Sequence, residues 1–115
     1  MSAVRVVNIS RGTVVADQAE IAVSFWSRLR GLLGRRGLAE GQAMVIPSDM
    51  IHTFFMRFAI DVVFLDCHNR VLHVIVDMRP NRISPFVRHS DIVVELPVGT
   101  LERTYTQKGD LLKMA

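Results

Sequence analysis

At 115 residues, with 50% hydrophobic and 22% charged side chains, the chain has the length for one domain with a real core, 1–115, and the composition of a globular protein, which excludes a disordered state. Its net charge is +3, built from 12 arginines against Lys108 and Lys113, and arginine suits bidentate recognition of carboxylate or phosphate. The longest apolar stretch, Phe58 to Leu65, is too short to cross a bilayer and holds Asp61, while the single Cys67 allows no internal disulfide and fits a reducing compartment.

In chain order, MSAVRVVNIS carries Arg5 within its apolar run and does not read as a signal peptide, so a cytoplasmic location is expected. VRVVNI at 4–9 is predicted as a strand, SRG at 10–12 as a turn, and TVVADQAEIAV at 13–23 as a strand pair broken around Asp17 and Gln18. Ser24 is placed to cap a helix whose apolar positions Phe25, Leu29, Leu32 and Leu33 recur at helical spacing, with Gly34 as its stop. AMVIP at 43–47 is a short buried strand. RVLHVIVDM at 70–78 pairs with DVVFLD through a turn at Cys67, His68 and Asn69.

MRPNRISPFVRHS at 78–90 has two prolines and no period, and reads as a loop. DIVVELPVG at 91–99 alternates, with Ile92, Val94, Leu96 and Val98 on one side and Asp91, Val93 and Glu95 on the other. Thr100 is positioned to cap a short helical stretch, LERTYTQ, and the turn KGD at 108–110 leads into a last strand, LLKM. The fold class expected is mainly β (α+β): a small barrel-like sheet of about six to eight short strands, one N-terminal helix and a short later helix.

HTFFMRFAIDVVFLD at 52–66 is the most informative stretch. As a strand, its even positions Phe54, Met56, Phe58, Ile60, Val62 and Phe64 form an unbroken apolar row, expected in the core with Val74, Val94 and Leu96. Arg57 and Asp61 share the odd face, roughly 13 Å apart along a straight strand at about 3.3 Å per residue. A continuous strand and a bend near Phe58 and Ala59 satisfy this pattern equally.

RLRGLLGR at 28–35, HTFFMRFAIDVVFLD, VVELPVGTLER at 93–103 and KGD together resemble the bacterial and archaeal family catalogued as domain of unknown function 192, over roughly residues 13–114. The resemblance implies a mainly β domain with a helix near its start and no established activity. It marks Arg28, Gly31, Arg35, Met56, Arg57, Asp61, Glu95, Gly99, Gly109 and Asp110 as motif positions without known roles. Where many relatives resemble FWMKNT followed by an IPLDIIFID-like run, this chain has Arg57 at the basic position, no Asn-Thr pair, and Ala59 in place of a proline.

Arg57, Asp61 and Glu95 form the leading candidate constellation. Functionally, an arginine between two carboxylates grips an anionic ligand while one acid shuttles a proton; structurally, the three are a partly buried ion network. His52 is either a base near neutrality or a histidine bonded to a neighbouring backbone group. Arg28, Arg30, Arg35 and Arg36 offer a polyanion or nucleic-acid contact, or a solvated helix face. Arg82, Phe86 and Arg88 in the 78–90 loop suit a protein partner, unless Phe86 folds back over the barrel.

Neither HxxxH nor CxxC occurs, so no metal and no cofactor are expected, and Cys67 beside His68 lacks the surroundings of an activated thiolate. The function expected is non-catalytic binding of a small anionic ligand or a protein partner through Arg57, Asp61, Glu95 and the 78–90 loop. An enzyme on a small anionic substrate, using Asp61 or Glu95 with His52 and Arg57, and a nucleic-acid binder working through the 28–36 arginines are the alternatives.

Overall fold

Valine- and isoleucine-rich segments dominate the chain, and these pack well on a pleated surface. The computed structural model describes residues 3–22 and 35–115, so the expected helix from Ser24, with Arg28, lies outside the described residues. Seven strands form one sheet: β1 (Ala3–Asn8), β2 (Thr13–Ile21), β3 (Gln42–Ile46), β4 (Ile60–Leu65), β5 (Val71–Met78), β6 (Ile92–Pro97) and β7 (Leu112–Met114). Their order is β5-β4-β6-β3-β2-β1-β7, antiparallel throughout except for β2 beside β3. A short helix, α1 (Thr100–Thr104), precedes β7.

The sheet curls until its two edges meet at one end. Arg70 and Leu111 form a bridge, Val71 N donates to Asp110 O at 2.8 Å, and Leu112 N donates to Asn69 O at 3.0 Å. The result is a half-barrel, as the short alternating strands predicted. Its inner face is one apolar cluster, including Val6, Val15, Val45, Val63, Leu96 and Leu101. Its outer face over β3, β4 and β6 is a second, in which Ile60, Val62, Phe64 and Val93 lie under Ile51 and Met56 from the segment before β4. Covered on both faces, β4 is buried at every position, which is why its sequence reads as a nearly continuous apolar run.

Several expectations are corrected. The stretch 13–21 is one nine-residue strand, and Asp17 and Gln18 are a bulge within it: Val4 pairs with Ala19 and Val6 with Ala16. The extra residue lets Asp17 N and Gln18 N both donate to Gly41 O, at 3.1 and 2.9 Å. Gly41 has φ +88°, and a Cβ there would collide with the Asp17 carboxylate. Val98 lies beyond β6 and is exposed. Thr100 is the first helical residue rather than the cap, which is Gly99.

The KGD turn is held by a buried polar knot that ties β1 to the strand end. Asp110 Oδ2 accepts from Asn8 Nδ2 at 3.0 Å, Gln107 N at 3.0 Å and Arg11 Nε at 3.2 Å. Burial pushes the Asp110 carboxyl up, but the hydrogen bonds from Asn8, Arg11 and Gln107 outweigh it and hold the group below its ordinary 3.8. A folded-state value below the unfolded one gives stability that is complete above the unfolded pKa and lost as pH falls through the folded pKa. Urea midpoints measured from neutral pH down through about pH 4 are therefore expected to fall more steeply for the native chain than for Asp110→Asn. Parallel curves would exclude this group as a source of acid sensitivity.

Candidate functional site

The leading constellation of the sequence does not assemble. In the β4–β6 ladder Asp61 faces Leu96 and Val62 faces Glu95, so Asp61 and Glu95 occupy opposite faces of the sheet. Both are fully buried. Asp61 is committed to backbone: Oδ1 accepts from Asp77 N at 2.9 Å, and Oδ2 accepts from Gly99 N and Leu101 N, both at 3.1 Å. It thus satisfies amides that the first turn of α1 leaves without helical partners, doing from β4 what Thr100 was expected to do. Glu95 lies in the outer face, paired in register with Met44 and Val62.

Arg57 is exposed and sits before β4, not within it. The stretch expected as a possible single strand breaks at Thr53–Met56, where Met56 N donates to Thr53 O at 3.3 Å and Phe55 has φ +64°. Phe54, expected in the core, is consequently exposed, whereas Met56 stays buried and Phe58 is half-buried. The break leaves His52 and Arg57 outside β4, and the β4–β6 register sends Asp61 and Glu95 to opposite faces, so the acid/base set of the enzyme alternative is dispersed.

The structure brings other residues together instead. Residues 49–55 and 81–87 run antiparallel as a ribbon over the outer face of the sheet. His52 and Ile83 form a bridge, Thr53 N donates to Arg82 O, Asn81 N to Thr53 O, Ser84 N to Ile51 O and Val87 N to Asp49 O, all at 2.8–2.9 Å. Two buried hydroxyls pin it. Thr53 Oγ1 donates to Arg79 O at 2.6 Å and accepts from Arg82 N at 3.0 Å, and Ser84 Oγ accepts from Ile51 N at 2.9 Å. Thus the 78–90 segment, expected as an irregular loop, is ordered by partners about thirty residues away in sequence.

Alternation along this ribbon separates its two sides. Ile51, Thr53 and Ser84 turn inward and are buried. Met50, His52 and Phe54 turn outward with Ile83 and Pro85, and the His52 and Phe54 rings stack with centroids 4.8 Å apart. Phe54 N donates to His52 Nδ1 at 3.3 Å, so the imidazole has a backbone role. Phe55 is 80% exposed, Phe86 64% and Ile83 59%. Several large apolar side chains left exposed along one ribbon mark an interaction site more often than single scattered ones do.

Arginines border the surface. Arg57, Arg79, Arg82 and Arg88 are exposed, and among the described residues only Arg79 of these four has an ion pair, with Asp77 at 3.0 Å. Phe86 does not fold back over the barrel. Of the residues singled out from the sequence, His52, Arg82 and Phe86 lie on this ribbon and Arg57 and Arg88 are exposed just beyond its ends; Phe55, Met50 and the buried Thr53 were not singled out. The adjacent pair Phe54-Phe55 was the available signal, since neighbours on a strand cannot share one buried face. Of the 28–36 arginines, Arg35 approaches Glu20 at 3.9 Å and Arg36 is exposed.

Elsewhere, an open hollow of about 420 Å3 lies beside Leu38, Gly99 and Arg103, where Arg103 pairs with Glu40 at 3.5 Å. Among the described residues no helix is long and apolar enough to cross a membrane, and no group of His, Cys, Asp and Glu side chains is arranged to hold a metal ion.

A family model described as an uncharacterised conserved protein, domain of unknown function 192, matches residues 6–114. Among curated relatives, a UPF0127 protein of Pyrococcus furiosus is 30% identical over 111 residues, covering 92% of this chain and 94% of the relative. One from Thermococcus sibiricus is 30% identical over 109 residues, covering 90% and 70%. A crystal structure of a protein of unknown function from Novosphingobium aromaticivorans superposes with a TM-score of 0.81 at 19% identity, covering 96% of this chain and 83% of that one. A Sinorhizobium meliloti chain also gives 0.81, at 24% identity, covering 96% and 91%. At these identities the two structures establish the shared fold.

Proposed function

The chain belongs to the uncharacterised family of domain of unknown function 192, and from its geometry we propose a non-catalytic binding domain whose contact surface is the outer side of the 49–55 and 81–87 ribbon. The observation that carries this reading is the exposure of Phe54, Phe55, Ile83 and Phe86 on a backbone pinned from beneath. Arg57, Arg82 and Arg88 add cationic groups at its border, which suits a partner that is both anionic and apolar. Asp61 and Glu95 leave the surface and become interior residues. A small-molecule enzyme built on those two acids is the less supported reading, because they open to opposite sides of the sheet.

Phe55 offers the sharpest test. It holds φ +64°, a left-handed conformation that costs a residue with a Cβ about 1–2 kcal/mol and that asparagine tolerates better. Its exposed ring gives little packing in return, so the conformation is retained for contact rather than for stability. Phe55→Asn is expected to leave the protein as stable as before, or more stable by about 0.5 to 1 kcal/mol. It should also remove thermal shifts produced by carboxylates, phosphosugars, nucleotides or acidic peptides in a ligand screen. A melting temperature lowered by several degrees in Phe55→Asn would make the ring a structural element and end the proposal.

A further inference from the structure

Resting on the binding surface proposed above, we infer that its partner is an anionic lipid surface, into whose headgroup layer the ribbon places Phe54, Phe55, Ile83 and Phe86. Three features favour lipid over a peptide. The apolar side chains stand out from the protein, with Phe55 80% exposed, whereas a peptide anchor seeks a concave pocket. Several backbone amides of the ribbon are already engaged: Thr53, Asn81, Ser84 and Val87 donate to carbonyls across it, and Phe55 N donates to Asn81 Oδ1 at 3.1 Å. Each amide so engaged lowers the cost of entering a poorly hydrated layer and is no longer on offer to an added strand.

Charge is the third feature. Residues 47–59 and 79–90 hold four arginines against Asp49; Arg79 is paired with Asp77, and Arg57, Arg82 and Arg88 stand exposed. Basic residues flanking exposed aromatic groups match the two sources of interfacial binding, apolar insertion and attraction to anionic headgroups.

The experiment is co-sedimentation of the full chain with vesicles of phosphatidylcholine, alone or enriched in phosphatidylglycerol, at low and high salt. A Glu-rich peptide carrying leucine and phenylalanine serves as the alternative probe. Retention is expected on the phosphatidylglycerol vesicles only, weakening as salt rises. Arg82→Ala and Arg88→Ala should each reduce low-salt affinity about fivefold, and Phe55→Asn combined with Phe86→Ser at least about tenfold, with melting temperatures confirming intact folds. Absence of retention at low salt, equal retention on uncharged vesicles, or retention indifferent to these substitutions overturns the lipid inference. Binding of the acidic peptide without vesicle retention, lost in the same variants, overturns it while leaving the binding reading standing; binding of neither probe removes both.

Discussion

Asp61→Ala is expected to lower unfolding stability by about 3 to 5 kcal/mol, measured by urea or thermal denaturation. The carboxylate accepts from Asp77, Gly99 and Leu101 amides and is fully buried. Truncation leaves three interior donors without an acceptor, each costing about 1–3 kcal/mol before water enters to recover part. For a chain of 115 residues this corresponds to a melting temperature roughly 10 to 25 °C lower. Asp61→Asn keeps the shape but turns an amide donor toward one of the three N–H groups, so about half of that loss is expected. A catalytic aspartate would behave otherwise, since replacing it with asparagine spares the fold and stops turnover. Full stability in Asp61→Asn would therefore refute the interior role.

Thr53→Val should cost about 1 to 3 kcal/mol, because the near-isosteric side chain removes both bonds of a buried hydroxyl at once. The Arg79 carbonyl and the Arg82 amide lose their partner. Unlike Asp61, Thr53 holds no secondary-structure element; it holds the ribbon that carries the exposed side chains. Its loss is expected to speed amide exchange at Asn81, Arg82 and Ser84 well before the strands are affected. Affinity for anionic vesicles should fall with no outward side chain changed, because binding would then have to order the ribbon. Exchange that rises uniformly across the sheet would show that the ribbon is not a separate unit.

The two substitutions differ in what they disconnect. Asp61 joins β4, the end of β5 and the start of α1, so its loss is felt inside the half-barrel. Thr53 joins two segments lying outside it. Comparing stability with surface binding across the pair separates residues that build the scaffold from those that position the contact surface.

By itself the sequence determined the β class, most of the strands, the turn before β5 and the short helix before β7, because each rests on local alternation or local turn chemistry. The turn shows this plainly: Asp66 Oδ1 accepts from His68 N and Arg70 N, both at 2.9 Å, bonds that reach no further than four residues. It also singled out Arg82, Phe86 and Arg88, since arginines and an aromatic group in a proline-containing segment need no long-range information to be noticed. Only the tertiary structure decided where the row from Phe54 to Phe64 breaks. A helixless apolar run satisfies a straight strand and a bend equally, and the choice fell to hydrogen bonds between Thr53 and residues 79–82. Tertiary pairing also separated Asp61 from Glu95: a register placing Val62 opposite Glu95 sends the two acids to opposite faces, and register is a relation between strands that neither strand encodes alone.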